Sequence, residues 1–111
     1  MKLILEEIKG GKMSSNSGNL VGGDAEHPAS GTIKVEDNQV KLIDVKISDA
    51  PDGCVILTKD LKEETGVRLG DLQAFDGSHE YAIPPGVNVG GYNSVLIWCD
   101  QFKVPIGKAN L

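Results

Sequence analysis

Aromatic side chains make up only 5% of this 111-residue chain, with one Trp, two Tyr and two Phe, so aliphatic residues must supply most of any core. Cations are also few: 11 Lys and Arg stand against 16 Asp and Glu, for a formal charge of −5 and no basic cluster. An acidic surface of this kind is the wrong footprint for nucleic acid or for an anionic membrane. Long apolar runs are missing too. "MKLILEEIKGGK" opens with Leu3 to Leu5 but meets Glu6 and Glu7 at once. A secretory signal needs roughly 7–15 apolar residues and a membrane span about 20, so the chain as given is expected to be soluble and cytoplasmic, with no membrane insertion. Only two cysteines are present, Cys54 and Cys99. They permit one disulfide, two free thiols or a share in a metal site.

Turn formers are plentiful, with 14 Gly and 5 Pro, and they divide the chain into short segments. Residues 1–19 are expected to be an extension or tail, its first dozen residues a strand, a short helix or neither. The Gly-, Ser- and Asn-rich stretch Gly10–Gly31 reads as a long irregular entry, and residues 20–111 as one domain. "GTIKVED" alternates with period two, as a half-buried strand does. "VKLIDVKI" also alternates, but its phase slips between Leu42 and Ile43, which implies a bulge. "SDAPDG" is a turn and "CVILT" a short buried strand. "KDLKEETGVRLG" is expected as an exposed loop with a short helix, and "LQAFDGSHEYAIPPG" as a hairpin about Asp76-Gly77. "YNSVLIWCDQF" is apolar on both faces, as a central strand is, and Pro105 marks an edge or bulge after it. The whole predicts an all-β, antiparallel β-sandwich of about seven or eight strands. Its expected core is Ile33, Val35, Leu42, Val45, Val55, Leu57, Leu72, Ile83, Val95, Ile97, Trp98 and Phe102.

Four segments in order resemble the DM13 domain: "HPASGTIKV", "KLIDVKISDAPDGCVILT", "LGDLQAFDGSHEYAIPPGVNV" and, most specifically, "GYNSVLIWCDQFKVPIGKANL". Two positions depart from that pattern. Val45 stands where the family usually has Phe, and Cys54 where another residue type is more common. The resemblance implies a β-sandwich, a redox or protein partner, and an electron-transfer role centred on the cysteine of the Trp-Cys pair, here Cys99. It also implies members that are often exported.

Taken by their residues alone, the candidate groups leave several readings open. Cys99 shares a strand face with Val95 and Ile97, and a buried cysteine is commonly an inert core residue. Cys54 starts one expected strand and Cys99 ends another, so a bridge between them is a second reading. A third joins both sulfurs with His27 and His79 as a zinc or copper donor set, although no pair has ligand spacing. Trp98 is either a core anchor or an aromatic that tunes a neighbouring sulfur. No nucleophile elbow or calcium loop is present, so an autonomous enzyme is not expected. The alternative to a redox module is a non-catalytic interaction or adhesion sandwich in which the cysteines are structural.

Overall fold

The computed structural model describes residues 16–23 and 27–111. The first dozen residues lie outside that range. Among the described residues nine strands run in the order β1 (Asn16–Asn19), β2 (Val21–Gly22), β3 (Ala29–Glu36), β4 (Gln39–Ile47), β5 (Gly53–Lys59), β6 (Lys62–Asp71), β7 (Asp76–Ala82), β8 (Ser94–Cys99) and β9 (Val104–Asn110). A single 3₁₀ turn, Val89–Gly91, precedes β8. Two antiparallel sheets form a sandwich, one ordered β1-β3-β4-β7 and the other β2-β9-β8-β5-β6. Part of the irregular entry is therefore strand: β1 pairs with β3 in one sheet and β2 with β9 in the other. Leu20, between them, is buried where the chain changes sheet, and its N–H donates to the Gly31 carbonyl.

The period-two pattern accounts for the core. Ile33 and Val35 of β3, Val40, Leu42, Val45 and Ile47 of β4, Val55 and Leu57 of β5, and Val95 and Ile97 of β8 meet between the sheets, joined by Ile83 and Ile106. The phase slip in β4 is a real irregularity. Its register against β7 shifts between Leu42 and Val45, and Asp44 takes φ +49° there. Inserting an extra residue lets both parities of the sequence point inward in turn. Pro105 likewise sits at a register shift, opposite Trp98, an irregularity of the kind that tolerates a residue without an N–H.

Four expectations need correction. "KDLKEETGVRLG" holds no helix; it is a β-hairpin, with Asp60 and Leu61 at φ +55° and +60° in the turn and β6 beyond it. Mirror-image turns of this hand suit the twist of paired strands, but Leu61 carries none of the usual turn signal. Its N–H donates to Ser94 Oγ, and the Asp60 N–H donates to Asn93 Oδ1, so side chains on the segment entering β8 hold the turn. Second, Asp76-Gly77 is no hairpin turn. β7 begins there and crosses to the other sheet, pairing with β4. Third, Phe102 is 62% exposed rather than in the core. Fourth, Trp98 packs on the outer face of the five-stranded sheet, not between the sheets. Leu72 packs against the core while only partly buried.

Among the described residues, no helix is long and apolar enough to cross a membrane.

Candidate functional site: the two thiols of the central strands

Strands β5 and β8 are neighbours, with Gly53 opposite Cys99 and Cys54 opposite Trp98. The one-residue offset decides everything about the sulfurs. Successive side chains on a strand alternate faces, so Cys99 points between the sheets with Val95 and Ile97 while Cys54 points outward with Ile56, Leu96 and Trp98. Both cysteines are free and buried. They are adjacent in register yet lie on opposite faces of one sheet, and bridging them would require turning a strand over.

Cys99 is fully buried, and its Sγ–H donates to the Pro51 carbonyl at 3.0 Å. Pro51 belongs to the β4–β5 turn. The same turn supplies Ala50 and Asp52 to an open cleft of about 350 Å³, which Gly53, Asp71, Leu72, Phe75 and Asp100 complete. Asp100 N–H closes the arrangement by donating to the Asp52 carbonyl at 3.1 Å. The thiol therefore sits at the sandwich end, bonded to a turn that is also a wall of the cleft.

Cys54 has different company. The guanidinium of Arg68 on β6 lies against it, Nη1 to Sγ 3.0 Å. The same guanidinium forms two parallel bonds to Asp100, at 2.8 and 2.7 Å, the bidentate geometry that makes Arg–carboxylate pairs strong. Glu63 adds a longer contact at 3.4 Å. Burial pushes the Cys54 thiol up to about 11, Arg68 pulls it down, and Asp100 pushes it up again. Arg68 is held above its ordinary range chiefly by its bonds to Asp100, and Asp100 is held below the usual carboxylate range by the same bonds. Trp98, half-buried and opposite Cys54 in register, flanks this group. Sequence reading did not find Arg68, which is 14 residues from Cys54 and 32 from Asp100. The missing signal was the β5–β6 hairpin that carries it across.

The histidines do not join the sulfurs. His79 lies on β7, in the other sheet, opposite Leu42. His27 lies at the end of the entry, immediately before Pro28 and β3. Among the described residues, no three His, Cys, Asp or Glu side chains come together as a metal site, so the scattered donor set for zinc or copper is not assembled.

No curated protein and no solved structure matches this chain. A family model does match, over residues 22–111, and its description is "Electron transfer DM13". With the sandwich, the Trp98-Cys99 strand and that match in hand, the chain belongs to the DM13 family of electron-transfer domains.

Proposed function

We propose that the domain passes electrons through a cysteine thiol, and that this thiol is Cys99. The observation that carries the reading is the Cys99 Sγ–Pro51 carbonyl bond of 3.0 Å. It joins a buried sulfur to the turn that walls the cleft of Ala50, Asp52 and Asp100. On this reading, displacement of that turn uncovers the sulfur toward the cleft. In the step itself Cys99 gives one electron to a one-electron carrier on a protein partner seated at the cleft. Its proton leaves to water, and one electron from the next donor with a proton from water restores the thiol. Trp98 faces the other way, so on this reading it braces the strand and does not touch the sulfur.

A second reading has its own support. Cys54 lies under the Arg68 guanidinium, and a cation beside sulfur favours the thiolate, against the larger effect of burial, which pushes the thiol up to about 11. The two readings separate with Cys99→Ser and Cys54→Ser in the full chain, each oxidised by a one-electron metal complex and followed by thiol counting. Loss of electron release in Cys99→Ser alone supports the first reading, and loss in Cys54→Ser alone supports the second. Unchanged release in both folded variants sinks the thiol role. The domain then acts as an interaction module whose cysteines only pack.

A further inference from the structure

Tyr81 on β7 is 4% exposed, and its phenol oxygen has two neighbours. The backbone N–H of Gln73 donates to it at 2.8 Å, and His79 Nδ1 lies at 2.8 Å on another side. The rings meet edge to face, centroids 5.6 Å apart at 79°. An amide N–H can only donate, so it occupies a lone pair of the phenol oxygen and leaves the O–H free to donate to Nδ1. That assignment puts the imidazole proton on Nε2. His79 Nε2 is itself buried and has no hydrogen-bond partner. The ring stands at the wall of an open cavity of about 430 Å³, shared with Lys41, Leu42, Ile43, Gln73, Ser78 and Glu80.

A phenol is hard to oxidise unless its proton can leave with the electron. Here a nitrogen that can accept it lies 2.8 Å away. We propose that Tyr81 and His79 form a second redox group of the domain. In the step, the Tyr81 ring gives one electron to a high-potential one-electron oxidant of the outer-sphere metal-complex class as its O–H proton passes to His79 Nδ1. The products are a neutral phenoxyl radical, an imidazolium and the reduced oxidant. Return of one electron to the ring and of the proton from Nδ1 to oxygen restores the pair. The inference rests on the electron-transfer reading of the family but uses neither sulfur.

The surroundings agree with each role. Burial lowers the His79 ring below its ordinary value, with the Ala74 backbone partly opposing the change, so the ring is a neutral base near pH 7. Burial raises the Tyr81 phenol, with the Gln73 N–H partly opposing, so the proton to be transferred is present. Tyr92, the other tyrosine, carries the Lys59 ammonium 5.3 Å over its ring, and a cation there disfavours a ring that must lose an electron.

The test is oxidation of the full chain by hexachloroiridate(IV), with both cysteines changed to Ser to silence the thiols, read by freeze-quench electron paramagnetic resonance and stopped flow. The expected result is a phenoxyl signal that persists in Tyr92→Phe and disappears in Tyr81→Phe. Tyr81→Phe leaves the Gln73 N–H without its acceptor and can fail to fold, so His79→Gln is the second variant. Its amide oxygen can still accept the phenol hydrogen bond but cannot take the proton. Oxidation should slow by roughly a hundredfold, within the usual range for loss of a positioned base, and the solvent deuterium isotope effect should fall toward unity. A phenoxyl signal unchanged by Tyr81→Phe, or a folded His79→Gln variant with unchanged rate and isotope effect, overturns the proposal. Either result leaves the cysteine reading standing, because that is decided by Cys99→Ser and Cys54→Ser in a chain with Tyr81 intact.

Discussion

At the scale of single residues, the chemistry of the outer-face thiol is set by a contest between two charges that hold each other. Arg68 bonds to both Cys54 and Asp100, so the cation's effect on the sulfur is largely spent on the carboxylate. Removing that carboxylate's charge should release it. In a Cys99→Ser background, Asp100→Asn is expected to lower the pH midpoint of Cys54 alkylation from about 11, while Arg68→Gln raises it. The measurement is the alkylation rate of the folded protein across pH 7 to about 11. The opposite order of the two variants would mean that Asp100 acts on Cys54 mainly by packing. Asp100 directly follows the Trp-Cys pair in the chain, whereas Arg68 lies 30 residues before Trp98. Local sequence lists only chain neighbours, whereas a guanidinium reaches its partners through the folded sheet.

At the scale of elements, β6 explains why an apolar outer face can exist at all. Cys54, Ile56 and Leu96 face away from the sandwich core and are nonetheless buried. The strand that follows the Asp60-Leu61 turn breaks register twice against β5, bringing its own backbone close to that face. Gly66 lies close against it, since a methyl group there would collide with Ile56 Cγ2 and crowd Thr58 Cγ2. Gly66→Ala should therefore cost about 1–3 kcal/mol, the usual range for overpacking. Urea unfolding would show it as a lower midpoint at constant slope, and a neutral result would mean that β6 yields freely. The charge and glycines of "KDLKEETGVRLG" read as a loop because neither a strand alternation nor a standard turn dipeptide is present. The strand exists because Asn93 and Ser94 hold its turn and because the sheet has an edge for it to pair with. By contrast the bulge in β4 was legible, because the apolar residues themselves change parity.

At the scale of the whole molecule, two buried acids protonated in the folded state tie stability to alkaline pH. The Cys54 thiol is pushed up from 9.0 to about 11 and the Tyr81 phenol is also raised, in both cases first by burial. A raised folded-state value means that the unfolded chain loses its proton first as pH rises. Stability from Cys54 is thus full below about pH 9 and declines up to about 11, at close to 1.4 kcal/mol per pH unit while the two states differ by one proton. Tyr81 extends the decline above its ordinary value of 10.0. Chemical denaturation at pH 8, 9.5 and 10.5 should show this fall, and Cys54→Ala should flatten its lower part whatever it does to stability at pH 8. A slope unchanged in Cys54→Ala would mean that the thiol ionises equally well in the folded protein.

What the sequence determined by itself is whatever repeats along the chain. Period-two alternation placed the strands that carry Ile33, Val35, Leu42 and Val45 and so supported the antiparallel sandwich. The run ending in Trp98-Cys99 identified β8 as a central strand and carried the family likeness. What only the tertiary structure decided is whatever depends on register between strands. A one-residue offset between β5 and β8 put Cys54 and Cys99 on opposite faces. The β5–β6 hairpin brought Arg68 onto the first of them, and the crossing of β7 to the other sheet set Tyr81 and His79 apart from both. Alternation is encoded in neighbouring residues, but register is a collective outcome of turn geometry and core packing, and the candidate redox groups live on register.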